Sequence, residues 1–261
     1  ILDGLVGSEM CIRDRPSMGK TAFALSIAGQ LVNDGIPSVL FSLEMSARSI
    51  MYRLISLLGK IELKKLFEAK NLSDNDFNEI ENSLSLLSRS KFFIDDTSSL
   101  SPSEILSRSR KLKRENPDLG LIIIDYMQLM NADNKNDNRV SEMSEISRSL
   151  KALAKEIDVP VIALSQLNRA PETRTGKRPV LADLKDSGAI EQDADIVTFV
   201  FRAEKYEQDL ENKGLAIIDV AKHRNGPTGS VKLHFSDKYT KFQDLAPDDP
   251  ALRNPGFSEG D

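Results

Sequence analysis

The sequence contains little cysteine and little histidine. Its 261 residues include one cysteine, Cys11, and two histidines. A single thiol cannot form an internal disulfide, and two well-separated histidines without cysteine partners lack the spacing of zinc ligands. The composition therefore argues against both a disulfide scaffold and a zinc site.

Long hydrophobic runs are also missing. No apolar run approaches the roughly 18 residues that span a bilayer, and the first residues do not have the pattern of a signal peptide. Hydrophobic residues make up 40% of the chain and charged residues 29%, which excludes disordered and collagen-like chains. We expect a soluble, cytoplasmic, globular protein of one large or two small domains.

The chain has no overall excess of basic charge, since its net charge is −5. Much of the acidic excess lies at the end of the sequence, where residues 244–261 hold five acidic residues and one arginine. Binding to nucleic acid would therefore require a local basic patch rather than a basic protein. We predict that residues 246–261 form an acidic, disordered tail.

Strand-like and helix-like segments alternate from about residue 20 to 200. This pattern predicts an α/β fold, with a mostly parallel, twisted sheet flanked by helices. The predicted strands cover residues 38–43, 91–95, 121–125, 161–165 and 195–201, and the predicted helices cover 46–60, 73–89, 102–115 and 140–157. Farther on, turn residues separate short β segments at 214–225, 230–236 and 240–245, which predicts C-terminal antiparallel hairpins.

Residues 15–21 read RPSMGKT and precede an apolar helical segment. They match the second half of the phosphate-loop pattern G-x-x-x-x-G-K-[ST], whose backbone N–H groups bind phosphate at a helix N-terminus. Lys20 would then reach the β and γ phosphates, and the Thr21 hydroxyl would bind Mg²⁺. A Gly-Lys-Thr helix start of no special function is the alternative. The predicted ATP-binding residues are Arg15, Pro16, Ser17, Met18, Gly19, Lys20 and Thr21.

Polar residues follow several of the predicted strands. Asp125 ends the run LIIID, which suits a Walker B carboxylate that holds Mg²⁺. Glu44 could orient or deprotonate the attacking water, and Gln166 could sense the γ-phosphate. Lys222 and Arg224 follow another apolar run, and we expect all five residues at one edge of the sheet. Each residue by itself would more often be an ordinary polar group at the surface.

Six segments in order resemble the replicative DnaB-type DNA helicases: RPSMGKTAFAL, FSLEMS, LIIIDYMQLM, VIALSQLNRAPETR, LKDSGAIEQDADIV and KHRNGPTG. The resemblance covers residues 15–245 and implies a RecA-like, P-loop ATPase domain of a homohexameric ring. Such a ring uses ATP and Mg²⁺ to move 5′ to 3′ on single-stranded DNA at the replication fork. Primase and a helicase loader are the further partners that the resemblance implies, and the family's helical N-terminal domain is not within the matched segments.

The resemblance also assigns roles to individual residues. It makes Lys20 and Thr21 phosphate-loop residues, and it makes Glu44 the catalytic carboxylate. Asp125 corresponds to the Walker B acid and Gln166 to the γ-phosphate sensor. Lys222 and Arg224 match residues that the family inserts into the ATP site of the neighbouring subunit. An arginine supplied in this way neutralises charge on the transferring phosphate.

The segment from Arg169 to Lys185 carries the strongest local basic excess, with five basic residues against two acidic ones. The predicted DNA-binding residues are Arg169, Arg174, Lys177, Arg178, Lys185, Asp186 and Gly188, of which the resemblance implies the last three. The family more often has Arg-Glu where this chain has Lys185-Asp186. The segment contains no aromatic residue, so we expect salt-dependent binding to the DNA backbone with little dependence on sequence. A solvated, charged loop is the alternative.

The first residues do not fit the predicted fold. An apolar strand should lead into the phosphate loop, yet residues 8–15 read SEMCIRDR, which does not resemble a buried strand. Asp14 stands where the pattern has Gly, and a carboxylate there would repel phosphate. GLVGSEMCIRDR also resembles translated sequencing-adapter text. We therefore predict that residues 1–14 are not native protein and that the ATPase domain covers 15–245. A natural variant of the family's first strand is the alternative.

Two other function classes remain open from the sequence. A RecA-like recombinase would share the phosphate loop and Walker B acid, but it would not be expected to carry FSLEMS together with KHRNGPTG. A nucleotide-dependent assembly module would bind ATP without hydrolysing it. Such a module does not need a water-activating carboxylate at Glu44. The effect of Glu44 on hydrolysis therefore discriminates between an ATP-hydrolysing enzyme and a module that only binds ATP.

Overall fold

The computed structural model describes residues 7–14, 18–133, 138–166, 188–205 and 213–246. Nine strands form one sheet in the order β3-β2-β4-β5-β1-β6-β7-β8-β9. The strands are β1 (Glu9–Asp14), β2 (Ser38–Ser42), β3 (Phe92–Asp95), β4 (Leu121–Asp125), β5 (Val161–Gln166), β6 (Ile196–Arg202), β7 (Leu215–His223), β8 (Gly229–Ser236) and β9 (Lys241–Asp244). Strands β1 to β6 are parallel, and β7, β8 and β9 continue the sheet antiparallel.

The described helices are α1 (Lys20–Asn33), α2 (Ala47–Gly59), α3 (Leu63–Glu68), α4 (Asp74–Arg89), α5 (Pro102–Glu115), α6 (Arg139–Ile157) and α7 (Gly188–Asp193). Serine residues start several of them. Ser73 and Ser101 form capping boxes with the third residue of α4 and α5, which satisfies backbone N–H groups that the helix leaves unpaired. Among the described residues, no helix combines the length and apolar character needed to cross a membrane.

Alternating side chains of the parallel strands build two hydrophobic layers. Val39 and Phe41 pack with Ile105 of α5 and Leu150 of α6 on one face. Leu40, between them in sequence, packs on the other face in the layer that contains helices α1 and α2. Because both faces of the sheet are covered, the central strands β2, β4 and β5 are buried along almost their whole length and consist mainly of apolar residues. This arrangement confirms the predicted α/β fold with C-terminal antiparallel strands.

The two ends of the parallel strands define two edges of the sheet. The carboxyl edge is where β2, β4 and β5 end, at Ser42, Asp125 and Gln166. The amino edge is where β1 and β6 begin, at Glu9 and Ile196. Strand β6 has seven residues, so these edges lie about 20 Å apart.

The expectation that residues 8–15 form no buried strand is wrong. Strand β1 lies between β5 and β6 and pairs with both in parallel. Cys11 and Ile12 are fully buried, one in each hydrophobic layer. Backbone pairing on both sides and these two side chains are sufficient to fill the central position, although Glu9 and Arg13 become buried with them.

Burial leaves the charged groups of β1 poorly compensated. Both carboxylate oxygens of Glu9, and the Nε and Nη2 atoms of Arg13, have no hydrogen-bond partner among the described residues. Desolvation, reinforced by repulsion from Asp193, raises the pKa of Glu9 to about 8. The strand therefore forms at an energetic cost that an apolar sequence would avoid. The assignment of residues 1–14 to a non-native leader stays a prediction, and residues 247–261 of the predicted tail lie outside the described residues.

Candidate nucleotide-binding site

Helix α1 begins at the carboxyl edge of the sheet. Gly19 immediately precedes it and has φ +107°, a left-handed conformation that favours glycine. A Cβ atom at Gly19 would also lie 3.3 Å from the ring of Phe242, so a larger residue would require that ring to shift slightly. The start of α1 therefore presents backbone N–H groups at a helix N-terminus, as a phosphate site requires. Met18 is buried, whereas Arg15, Pro16 and Ser17 lie outside the described residues.

Three of the predicted residues meet at the start of α1. The Thr21 hydroxyl donates a 2.7 Å hydrogen bond to Oδ2 of Asp125, at the end of β4. The Lys20 ammonium donates to the carbonyl of Ser165 on β5 at 3.2 Å and lies 5.5 Å from the centre of the Tyr126 ring. Helix α1 and strands β4 and β5 thus bring together the hydroxyl, carboxylate and ammonium groups predicted from the motif.

Asp125 fits the role of a magnesium-binding carboxylate. It is buried, and its Oδ1 atom has no hydrogen-bond partner among the described residues. Desolvation raises the pKa of Asp125, the hydrogen bond from Thr21 opposes that rise, and the nearby charge of Glu44 adds to it. A divalent cation bound by Thr21 and Asp125 would supply the missing partner and stabilise the ionised carboxylate.

Glu44 lies beyond the end of β2 and is exposed. The turn that carries it is held by the Ser42 hydroxyl, which donates to the carbonyl of Met45 at 2.7 Å. The amide of Leu43 donates to the carbonyl of Asp125 at 2.7 Å, which fixes this turn against β4. The carboxylate therefore stands at the same edge as Asp125 with access to water.

Gln166 ends β5 and is held by a residue that the sequence analysis missed. The side-chain amide of Gln128 donates to the Gln166 carbonyl at 3.0 Å, and its Oε1 accepts from the Gln166 amide at 3.2 Å. Gln128 also donates to the hydroxyl of Ser165 at 2.7 Å. This clamp fixes the backbone of Gln166 beside Lys20. A glutamine three residues after a Walker B carboxylate carries no general signal in a sequence, so only the fold identifies it.

The carboxyl edge contains a cavity of about 680 Å³. Predicted and unpredicted residues share its lining, which includes Gly19, Lys20, Thr21, Glu44 and Gln166 together with Arg53, Tyr126, Arg202, Lys205 and Asp237. The predicted residues lie around the phosphate loop, and several of the others come from β6, β8 and the turns beside them. A cavity of this size and composition suits a small, anionic, nucleotide-sized ligand.

Arg53 is one of the cations of this cavity that the motifs did not reveal. It comes from the middle of α2, is half-buried, and its Nε atom has no hydrogen-bond partner among the described residues. Desolvation lowers its pKa, while Asp125 and Glu44 oppose that change through their negative charge. Arg53 therefore compensates the two carboxylates across the cavity.

Arg202 forms another part of the lining. Its guanidinium lies 3.8 Å from the centre of the Phe235 ring and pairs with Glu204 and, at 2.8 Å, with Asp237. Ion pairing and cation–π contact allow this arginine to be almost completely buried at the end of β6. The arrangement gives the wall of the cavity a rigid, flat, polar surface.

Lys222 and Arg224 do not share this edge, so that expectation is wrong. Strand β7 is antiparallel to β6, and Lys222 pairs in register with Val197, near the start of β6. Both cations consequently lie at the amino edge. Lys222 donates to the carbonyls of Glu191 and Ala194, while Arg224 lies 3.3 Å from Oδ1 of Asp195. The sequence pattern located the end of the strand correctly but not its direction.

Most of the predicted DNA-binding residues cannot be placed in the fold. Arg169, Arg174, Lys177, Arg178, Lys185 and Asp186 lie outside the described residues. Gly188 is the first residue of α7, which runs to Asp193 at the amino edge. Helix α7 thus connects the predicted DNA segment directly to the carbonyl groups that hold Lys222.

A comparison with known protein families decides the family. Residues 1–244 match the family described as DnaB-like helicase C terminal domain. This chain belongs to that family. The DnaB-like assignment agrees with the resemblance seen in the sequence and with a site that combines the start of α1, a strand-end carboxylate and a strand-end glutamine.

Individual relatives support the DnaB-like assignment. The chain is 47% identical over 246 residues to the replicative DNA helicase DnaB of Pasteurella multocida, which covers 93% of this chain and 53% of that protein. It is 48% identical over 233 residues to DnaB of Geobacillus stearothermophilus, with 88% and 51% covered. The chain therefore spans about half the length of these relatives.

Two solved structures have the same fold as this DnaB-like chain. One is an ATPase domain that superposes with a TM-score of 0.88 at 41% identity, covering 92% of this chain and 85% of that chain. The other is a DnaB-like replicative helicase, studied for its interactions with primase, which also gives 0.88 at 40% identity and covers 92% and 58%. These matches confirm the predicted RecA-like architecture.

Proposed function

We propose that this chain is the motor domain of an ATP-dependent 5′ to 3′ replicative DNA helicase. ATP is hydrolysed between the subunits of a hexameric ring, which moves along single-stranded DNA and separates the duplex. The observation that carries this proposal is the division of the site between two edges of one sheet. The phosphate loop, Asp125 and Glu44 lie at the carboxyl edge, whereas Lys222 and Arg224 lie at the amino edge.

Within one subunit, the residues at the carboxyl edge bind the nucleotide. The N-terminus of α1 and the Lys20 ammonium neutralise the phosphates, and Thr21 and Asp125 would hold Mg²⁺. A bound Mg²⁺ would supply positive charge that offsets the charge of the phosphates. Arg53 lies across the same cavity and balances the charge of Asp125 and Glu44.

Hydrolysis requires a water molecule to attack the γ-phosphorus. Glu44 orients this water and accepts its proton, the bond to the bridging oxygen breaks, and ADP and inorganic phosphate form. Gln166 lies beside the phosphate loop at the end of β5, where it can contact the γ-phosphate. The clamp from Gln128 transmits any displacement of Gln166 into the backbone of β5.

The neighbouring subunit completes the charge balance. Lys222 and Arg224 project from the amino edge, too far from their own phosphate loop to serve it. In a ring they would reach the γ-phosphate of the adjacent subunit, where a cation of this kind is worth about 10³ to 10⁵ in rate.

For DNA binding, we assign side-chain contacts with phosphate to Arg169, Arg174, Lys177, Arg178 and Lys185, and contacts through backbone N–H groups to Asp186 and Gly188. The basic excess of this segment and the absence of aromatic residues favour contacts to phosphate over base stacking. Primase and a helicase loader are the protein partners that we expect for the full ring. The relative studied with primase supports the first of these partners.

ATP hydrolysis and strand separation test the proposal together. We expect the assembled protein to hydrolyse ATP faster with single-stranded DNA and to unwind a duplex that carries a 5′ tail but not one that carries a 3′ tail. Lys20→Ala should abolish both activities, because the β and γ phosphates lose their ammonium partner. Lys64→Ala, at an exposed lysine of α3, is the matched control and should change neither.

Two outcomes would contradict the helicase assignment. DNA-stimulated hydrolysis without strand separation on either substrate would favour the recombinase class. Nucleotide-dependent association without hydrolysis would favour an assembly module. The contribution of the basic segment is measured separately, from the salt dependence of DNA affinity. Lys177→Ala should reduce the slope of log affinity against log salt by about 0.7 if Lys177 contacts a phosphate.

A further inference from the structure

Asp195 lies at the centre of the charged groups of the amino edge. It precedes β6 and is almost completely buried. Its Oδ2 atom accepts a hydrogen bond from the Lys151 ammonium and another, at 3.0 Å, from the backbone amide of Glu9. Its Oδ1 atom lies 3.3 Å from Nη1 of Arg224. The two carboxylate oxygens therefore have separate partners.

The backbone of Asp195 holds Arg224 as well. The Arg224 amide donates a 2.8 Å hydrogen bond to the Asp195 carbonyl, and Nη2 of Arg224 lies 3.3 Å from the carbonyl of Gln192. The arginine is thus fixed at both ends of its side chain while half of that side chain stays exposed. An arginine fixed in this way loses less rotamer entropy when it meets an anion.

Lys151 allows the carboxylate to remain ionised while buried. Burial by itself would raise the pKa of Asp195, but the hydrogen bonds from Lys151 and from the amide of Glu9 outweigh it and lower that pKa. Because Lys151 is bound to Oδ2, the other oxygen is left to face Arg224. The carboxylate divides its negative charge between Lys151 and Arg224. The ion pair therefore orients the Arg224 guanidinium without neutralising its positive charge completely.

We propose that Asp195 is the positioning residue of Arg224 and sets the guanidinium at the angle required to reach the ATP of the neighbouring subunit. The inference rests on the proposed function, in which Arg224 acts between subunits. It adds a residue to the mechanism that neither touches nucleotide nor lies at the edge where nucleotide binds. Lys151 supports Asp195 by completing its charge balance.

The first test is the effect of Asp195→Asn on the assembled protein. Loss of the negative charge frees the guanidinium to take other rotamers, and we expect kcat for ATP hydrolysis to fall by roughly 10- to 100-fold. ATP affinity should stay within about threefold, because the binding cavity is at the opposite edge. Asp193→Asn is the matched control, since Asp193 carries the same charge near the amino edge and has no ion pair with Arg224 among the described residues.

Mixed rings provide the decisive readout. A subunit with Asp195→Asn keeps its own ATP site, and a subunit with Glu44→Gln keeps its own Arg224. In a mixed ring, some Glu44→Gln subunits present a correctly held Arg224 to the ATP site of an Asp195→Asn subunit. Such a site has both its own Glu44 and a positioned arginine from its neighbour. We therefore expect a mixture of two nearly inactive proteins to regain hydrolysis, and the mixture of Arg224→Ala with Glu44→Gln to do the same.

The outcomes separate the two proposals. If Arg224→Ala complements Glu44→Gln but Asp195→Asn does not, the substitution at Asp195 impairs the ATP site of its own subunit, and the positioning role is overturned while the proposed function stands. If neither variant complements, the action of Arg224 between subunits is overturned, and the inference fails with it. Should Asp195→Asn fold poorly because Lys151 is left unpaired, Asp195→Asn combined with Lys151→Met removes both buried charges and the same mixing experiment applies.

Discussion

The two edges of the parallel sheet contain similar charged residues in different environments. At the carboxyl edge, Asp125 is buried with one oxygen unpartnered among the described residues, and it lies behind Thr21 and Tyr126, which line a cavity of about 680 Å³. At the amino edge, Asp195 is also buried, but both of its oxygens have partners. An incomplete set of charges beside a cavity marks a place for a ligand. A complete set with one exposed cation, Arg224, is what the proposed function requires of a group that acts in the neighbouring subunit.

Removing the exposed cation should produce the largest effect. Arg224→Ala is expected to lower kcat for ATP hydrolysis by about 10³ to 10⁵, because the transition state loses a cation. ATP affinity should change little, since the amino edge does not contact the nucleotide bound to the same subunit. Nucleotide titration and steady-state kinetics measure the two effects separately. Arg89→Ala, at an exposed arginine of α4, is the control, and equal losses of affinity and turnover would contradict the division between edges.

The carboxyl edge should respond next most strongly through Glu44. Glu44→Gln cannot accept a proton from water, so we expect kcat to fall by about 10² to 10⁴. Nucleotide binding should persist, because Lys20 and the N-terminus of α1 are unchanged. Glu68→Gln on α3 is the matched control. Unchanged hydrolysis in Glu44→Gln would exclude the carboxylate from catalysis and favour the assembly-module class.

Glu9 makes the amino edge sensitive to pH. Its pKa is raised from 4.5 to about 8, so between these values the folded protein holds a proton that the unfolded chain has released. Stability should therefore fall as pH rises through this range. At about 1.4 kcal/mol per pKa unit, the loss between pH 5 and 8 amounts to a few kcal/mol.

Urea unfolding at pH 5 and pH 8 measures this dependence. Glu9→Gln removes the titrating group, so the variant should lose less stability than the parent protein over the same interval. The other titrating groups contribute equally to the change in unfolding free energy of both proteins, so their contribution cancels when the two changes are subtracted. Identical pH dependence in both would show that the folded protein already holds Glu9 ionised.

Arg13, near the other end of the same strand, should give the smallest effect. Two of its nitrogen atoms are buried without hydrogen-bond partners among the described residues. Arg13→Met keeps an unbranched side chain and removes these donors, so we expect the free energy of unfolding to rise by about 1 to 3 kcal/mol. Arg13→Lys retains the charge and should give no such gain. Thermal or urea unfolding distinguishes the two variants.

The sequence predicted the carboxyl edge well and the amino edge poorly. Asp125 and Gln166 end strands of the parallel sheet, and Glu44 follows the end of β2 by two residues. Parallel strands bring their carboxyl ends to one edge whatever their order. Strand β7 obeys no such rule, because a short β segment after a loop can run in either direction. Because β7 runs antiparallel to β6, Lys222 and Arg224 lie at the amino edge, about 20 Å from the edge that the strand-end pattern predicted for them.

Strand β1 and Arg53 show two other limits of sequence reasoning. Residues 8–15 have no apolar pattern, yet the position between β5 and β6 imposes a strand because backbone pairing is available on both sides. Arg53 lies in the middle of an amphipathic helix, where an arginine is usually solvated. Only the packing of α2 against the sheet turns it toward Asp125 and Glu44. In both cases tertiary contacts determine the structure: they make residues 9–14 a strand and they orient the Arg53 side chain, neither of which the local sequence pattern predicts.

The separation of the two edges also constrains the symmetry of any assembly. A contact that joins the amino edge of one subunit to the carboxyl edge of the next uses two different surfaces, so it is heterologous. A pair joined by one such contact leaves one phosphate site and one Arg224 unused. Only a closed cycle gives every ATP a complete set of cations, whereas an imperfect rotation yields an open helix. Hydrolysis should therefore rise steeply with protein concentration, following the closure of cycles rather than the formation of pairs.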